Sequence, residues 1–421
     1  MHKQTTLPNG IQLITAKNNS TNTVTVLVMV KAGSRYENKK INGISHFLEH
    51  LMFKGTKSYP TPEKLSIALD SLGGEFNAYT SEEFTGYWIK VEHSKIESAI
   101  EMLSEMLNNS TFPLEEIERE RGVIIEEINM VKDEPMRYIY YLFIKCLYGD
   151  TPAGREIIGP KTNIKSISRQ NILDYYNTFY TPTNITIAIA GRINNTEALV
   201  EKYFNINKES KENIKDSVTI NQTRPAILIE NRKTDQAHLS LGFHACPINH
   251  PDEMTLKILA EILGGSMSSR LFTQLRGKNG LAYYVRTMPD VYTDSGYITT
   301  NAGVPVKKIN EAIKIIINEY KKIKNDLVSD DELNKVKNII KGRVVIELEA
   351  SDKVAEWYAK TNLMRGSILT PSEFIKKIDA VTAKHIKNLA NKIFTTSQLN
   401  LAIIGNCDEK DKEKFYKLLA I

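Results

Sequence analysis

The chain has 421 residues, 41% of them hydrophobic and 25% charged, with a formal net charge of +5. These proportions suit a globular protein with room for two or more domains, each with its own core. The positive charge is spread along the chain with no basic block carrying interleaved aromatics, which argues against a nucleic-acid partner.

Residues 1–6 lack the apolar stretch of a signal peptide and the Arg- and Ser-rich character of a transit sequence, so a cytoplasmic location is expected. The apolar run TVTVLVMV at 23–30 is strand-length and far short of a membrane span, so no membrane insertion is expected. Cys146, Cys246 and Cys407 are odd in number and scattered, and read as buried thiols in a reducing compartment.

The next element carries chemistry. In His46-Phe47-Leu48-Glu49-His50 two imidazoles stand four residues apart, one turn of a helix, on one face. That spacing lets both share one tetrahedral metal ion. Glu49 sits beside the second histidine, where it can take a proton from an attacking water. The order H-x-x-E-H is the inverzincin signature, so zinc is the expected metal. Leu48, Leu51, Met52 and Phe53 supply the apolar face of this helix. Residues 73–88, GGEFNAYTSEEFTGYW, then read as a turn followed by strands. Asn77 there also suits a turn position that caps its own backbone.

A catalytic zinc takes three protein ligands plus water, so one ligand remains to be found. The spacing of residues 113–131, PLEEIERERGVIIEEINMV, predicts a helix. Pro113 suits its first turn and Pro135 stops it. Ile117, Ile124, Ile128 and Val131 form one apolar stripe. Glu120 and Glu127 fall along the edge of that stripe, whereas Glu126 falls on the solvent side. Periodicity leaves Glu127 or Glu120 as the inward carboxylate.

The rest of the chain repeats the first part. Residues 184–191, NITIAIAG, fall on 398–405, QLNLAIIG, and Thr23–Val30 falls on 237–244 at the same offset. At that offset His46, Glu49 and His50 land on Ala260, Leu263 and Gly264, and Glu127 lands on Lys341. One half therefore keeps the metal chemistry and the other does not. Strands and helices mix with hairpin signals, so the expected fold class is α+β, each half an antiparallel-dominated sheet with helices on one face. The expected division is a catalytic half at 1–207, a polar linker at 208–217 and a homologous half at 218–421. The two halves would close like a clam.

The segments GISHFLEHLMFKGT and ERGVIIEEI resemble the pitrilysin family of zinc metallopeptidases, in the branch of the mitochondrial processing peptidases and their bacterial relatives. The resemblance runs the full length, from LPNGIQLI to LNLAIIGN. It implies a bacterial zinc endopeptidase cleaving extended or unfolded peptides, with one zinc per chain held by His46, His50 and Glu127. Glu49 becomes the general base and Glu120 an assisting acid. It also implies that a strand at Asn77, Ala78 and Tyr79 pairs with peptide substrate, and that Phe53 lines the pocket just past the scissile bond. On the residues alone Phe53 equally suits the core.

SSRLFTQLRGKNGLAYYV resembles the family segment that ends in a paired arginine and tyrosine, here Arg276 and Tyr283. The pair is implied to hold substrate near the scissile carbonyl, where a cation and a phenol can hydrogen-bond an oxygen gaining charge. Without the resemblance, Arg276 reads as a helix-terminal charge and Tyr283 as a strand residue against the core. Gly277 departs from the family, whose members usually carry an acid there. A homodimer is implied, since one chain carries both the metal residues and the Arg/Tyr pair. The alternative is a non-catalytic core or recognition subunit; such family members have lost ligands or base that this chain retains. Processing peptidases read upstream arginines with two acids after the third ligand. Arg137 and Tyr141 occupy those positions here, with Asp133 and Glu134 nearby, so no upstream arginine should be required.

Overall fold

The computed structural model describes residues 2–206, 208–209 and 213–421. Residues 210–212 of the expected linker lie outside the described residues. The chain forms two compact units: Met1–Asn129 with Arg155–Asp216 and Val345–Leu369, and Met130–Gly154 with Ser217–Val344 and Thr370–Ile421.

The first unit is built on strands β1 (His2–Thr6), β2 (Gln12–Lys17), β3 (Thr23–Val30), β4 (Glu75–Thr80), β5 (Thr85–Glu92) and β6 (Ile185–Gly191). They lie in the order β1-β2-β6-β3-β5-β4. Only β2 and β6 run parallel; the remaining neighbours are antiparallel. The unbroken Val/Leu/Met run of β3 follows from burial on both faces. Val24, Val26, Val28 and Val30 join the core beneath helix α3 (Ile96–Asn109). On the opposite face, Thr25 Oγ1 lies 2.9 Å from Ser351 Oγ at the start of helix Ser351–Arg365.

The second unit uses β7 (Ala226–Asn231), β8 (Gln236–Ala245), β9 (Tyr284–Val291), β10 (Gly296–Pro305) and β11 (Asn400–Gly405). Their order is β7-β11-β8-β10-β9, with β7 and β11 parallel and the rest antiparallel. Apart from β1, this is the topology of the first sheet. The parallel registers agree as well: Gln12 faces Thr186 and Ala226 faces Asn400. The internal repeat is thus a repeated fold, and the class is α+β with antiparallel-dominated sheets.

The compact units differ from the contiguous sequence halves by one exchanged helix in each direction. Helix α5 (Pro135–Tyr148) packs on β11, β8 and β7 of the second unit. It buries Ile139, Leu142, Phe143, Ile144 and Leu147, and Phe143 occupies the space above Gly242 where any Cβ would sit 2.6 Å from its ring. Helix Ser351–Arg365 packs on β3, β6 and β2 of the first unit. Its Ala355 and Ala359 are fully buried, and Lys90 on β5 contacts Asp352 at 2.9 Å. The periodicity of these helices shows that they bury a face but not which sheet receives it. Residues 213–216 belong to the first unit: Asn213 Nδ2 donates to the Lys31 carbonyl at 2.8 Å and Lys215 pairs with Glu83 at 3.0 Å. No helix among the described residues is long and apolar enough to cross a membrane.

Candidate metal centre

Helix α1 (Ile44–Leu51) carries the H-x-x-E-H segment. Its apolar side, Ile44, Phe47, Leu48 and Leu51, is fully buried in the first unit's core, which turns His46, Glu49 and His50 to the other side. Gly43 begins the helix at φ 101, a left-handed conformation that favours glycine. A Cβ there would also stand 2.8 Å from the Ile158 carbonyl oxygen. Helix α2 (Pro62–Asp70) follows, and its N-terminus is capped by Thr61, whose side chain accepts from the Lys64 N–H.

Helix α4 (Leu114–Asp133) presents the carboxylates. Ile117, Ile124, Ile128 and Val131 are buried, as the stripe predicts, and Glu126 is exposed. Glu127 Oε2 lies 3.6 Å from His46 Nε2 and 3.7 Å from His50 Nε2. The ligand atoms of His46, His50 and Glu127 all lie within 4.8 Å of one another, the single such group among the described residues. A tetrahedral zinc with bonds of about 2.1 Å sets its ligand atoms roughly 3.4 Å apart. The observed separations suit that spacing and are too long for hydrogen bonds. Burial, then the neighbouring His50, holds His46 down at about 3, so its imidazole is neutral and able to ligate. Two imidazoles and a carboxylate form a donor set that fits zinc.

Glu120 stands about two helical turns away on the same helix and does something else. It is 4% exposed; its Oε2 contacts His50 Nδ1 at 3.0 Å and its Oε1 contacts Lys54 Nζ at 2.8 Å. Burial pushes its carboxyl up, but the hydrogen bonds from His50 and Lys54 outweigh that and hold it below the usual range. An ionised Glu120 accepts Nδ1–H of His50 and leaves Nε2 free to ligate. Glu127 thus faces both Nε2 atoms and Glu120 the rear of one ring.

Glu49 is raised, first by burial and further by Glu127, while the Thr80 hydroxyl and His50 oppose the rise. Thr80 Oγ1 donates to Glu49 Oε2 at 2.5 Å. Thr80 ends β4, the edge strand that also carries Asn77, Ala78 and Tyr79. Asn77 and Ala78, with Glu49, His50, Phe53, Lys54, Phe76 and Glu120, line a cleft of about 300 Å³. Asn77 Oδ1 accepts from the Ala78 N–H at 2.8 Å. Tyr79 points the other way, towards Trp88, Asp352 and Glu356. Phe53 packs against the core and also faces the cleft, stacked on Phe76 with ring centroids 6.4 Å apart.

Arg276 and Tyr283 lie in the second unit. Tyr283 is 73% exposed, so the reading of it as a core strand residue fails. Arg276 stacks over Phe272, its guanidinium 5.2 Å from the ring centroid. Sequence reasoning missed Thr80, Lys54 and Phe76. Lys54 and Phe76 sit inside segments already singled out, yet nothing in their spacing shows that they meet Glu120 and Phe53. Thr80 approaches Glu49 through the pairing of β4 with β5, a tertiary fact.

Comparison with known proteins gives the family. The family model for insulinase (peptidase family M16) matches residues 12–161, and the peptidase M16 inactive domain matches residues 166–340. The chain belongs to peptidase family M16. An M16 relative from Bacillus subtilis, described as an uncharacterized zinc protease, is 33% identical over 396 residues, covering 94% of this chain and 96% of its own length. The beta subunit of the mouse mitochondrial-processing peptidase is 30% identical over 413 residues, covering 95% of this chain and 84% of its own. The crystal structure of a protease from Helicobacter pylori aligns with a TM-score of 0.91 at 25% identity, covering 96% of this chain and 99% of that one. The resemblance to pitrilysin-type zinc peptidases and to the processing-peptidase branch is borne out. The M16 inactive domain falls on the half where Ala260, Leu263 and Gly264 stand at the repeat positions of His46, Glu49 and His50.

Proposed function

We propose that this chain is a zinc-dependent endopeptidase that cleaves extended or unfolded peptides, with one zinc per chain on His46, His50 and Glu127. One observation carries the reading: two imidazole nitrogens and a carboxylate converge beside a half-buried glutamate at the wall of a cleft. Zinc, when bound in such a site, acts as a Lewis acid and brings the pKa of water towards neutrality.

The chain's own residues supply the rest. Glu49 has one carboxylate oxygen held by Thr80 and the other available to the attacking water. Its raised carboxyl is a better base than an ordinary glutamate, so it accepts the water's proton and returns it to the leaving amine. Glu120 orients His50 through Nδ1 and Lys54 holds Glu120 ionised. An extended peptide adds to the free edge of β4 beside Asn77, Ala78 and Tyr79, by main-chain hydrogen bonds that tolerate sequence. The residue after the cut lies against Phe53 and Phe76 at the cleft wall, which favours an apolar or aromatic side chain. By the family resemblance Arg276 and Tyr283 are assigned to substrate, as a cation and a phenol able to hydrogen-bond a carbonyl oxygen that gains charge.

The test is hydrolysis of an unfolded peptide by the purified chain, before and after a chelator and again after zinc is restored. Cleavage that is lost and regained supports the reading. No cleavage and no bound zinc would make the chain a non-catalytic subunit.

A further inference from the structure

Glu37 is a buried carboxylate that the mechanism does not use. It is 3% exposed and lies six residues before Gly43, the residue that caps the H-x-x-E-H helix. Both its oxygens are committed to the start of that helix. Oε2 accepts from Asn42 Nδ2 at 2.7 Å and from the Gly43 N–H at 2.8 Å. Oε1 accepts from the Ser45 N–H at 2.8 Å and from Ser45 Oγ at 2.6 Å. Ser45 Oγ in turn lies 2.7 Å from the hydroxyl of Tyr175 on helix Arg169–Phe179.

Gly43, the residue at the head of α1, offers no side-chain cap. The first-turn N–H groups of a helix need acceptors, and a negative charge there is favoured by the helix dipole. Glu37 fills both needs from outside the helix. Four donors face it, and only an ionised carboxylate accepts from all four. Burial raises its carboxyl overall, and the hydrogen bonds from Ser45, Asn42 and Gly43 offset only part of that rise.

His46 follows Ser45 directly, and His50 lies one turn further. Fixing the N–H of Gly43 and of Ser45 to one immobile carboxylate fixes the rotation and the advance of α1. Those two quantities decide whether both Nε2 atoms meet Glu127. Metal constellations need their ligands held to about 0.5 Å.

We propose that Glu37 is a positioning residue for the metal centre, setting the pose of α1 so that His46 and His50 bind zinc together with Glu127. The inference rests on the zinc-peptidase reading above and extends it to a residue outside the H-x-x-E-H segment.

The test is the zinc dissociation constant, measured by competition with a chromophoric chelator, alongside the thermal midpoint of the metal-free protein. In E37Q one oxygen becomes an amide that cannot accept from the donors facing it, and zinc binding should weaken about 10- to 100-fold. S45A removes only the hydroxyl donor and keeps the backbone one, so it should weaken zinc less, in the same direction. If E37Q does not fold, S45A alone decides. Unchanged zinc affinity in the folded variants, even with a lowered metal-free midpoint, overturns the proposal and leaves Glu37 as a fold residue. A wild-type chain that binds no zinc overturns the metallopeptidase reading instead.

Discussion

Thr80 shows how much of the site lies outside the segment that announces it. The hydroxyl fixes one oxygen of Glu49, and a base that must meet water at one angle loses rate when it can turn. T80V keeps the shape and removes the donor. It should lower kcat about tenfold with KM and zinc content little changed, because general-base assistance is only partly lost. T80S should restore most of the rate. Equal kcat in T80V and wild type would remove Thr80 from the mechanism. His46 gives a second residue-level prediction. Its folded pKa is held at about 3 against an ordinary 6.5, so between those values the unfolded metal-free chain takes up a proton that the folded chain refuses. Stability supported by neutral His46 is complete above 6.5 and is lost as pH falls towards 3. Urea titrations of metal-free protein at pH 7 and pH 5 should show the loss, and H46Q should show a smaller one. The paired histidines and the inward carboxylates were legible in the sequence because both follow from helical periodicity. Glu37 and Thr80 were not, since their partners are set by a loop path and a strand pairing that no local spacing encodes.

At the level of elements, β3, β6 and β11 follow from their apolar runs, and the repeat extends β3 to β8 and predicts their common topology. The exchange of α5 and helix Ser351–Arg365 was not legible. An amphipathic helix advertises that it buries a face, and the identity of the receiving sheet is a property of the whole chain. Helix α5 also bears on specificity. It carries Arg137, exposed, and Tyr141, whose ring lies 5.9 Å from that of Tyr140. The cation repels an incoming arginine, and the phenol lacks the negative charge of the acid it replaces. Digestion of a mixed peptide library, with cut sites mapped by mass spectrometry, should show no enrichment of arginine two or three residues upstream. Apolar or aromatic residues should be enriched just after the cut. Strong upstream arginine enrichment would mean that Asp133 and Glu134 take the place of the missing acids.

For the whole molecule, one repeat of an M16 fold carries His46, His50 and Glu127, and the other has Ala260, Gly264 and Lys341 at those positions. Because a single chain carries both the metal residues and Arg276 with Tyr283, we propose that it works as a homodimer without a second gene product. Sedimentation at micromolar concentration should show twice the mass of 47.7 kDa, and a monomer alone would refute it. The claim on which the rest depends is that Glu49 moves the proton while His46, His50 and Glu127 hold the metal. E49Q separates those two tasks within one helix turn. Zinc content and turnover of an unfolded peptide, measured side by side in wild type and E49Q, test it most directly. The account predicts zinc near one per chain in both proteins and turnover in the wild type alone. E49Q that still cleaves at the wild-type rate with zinc bound would contradict it.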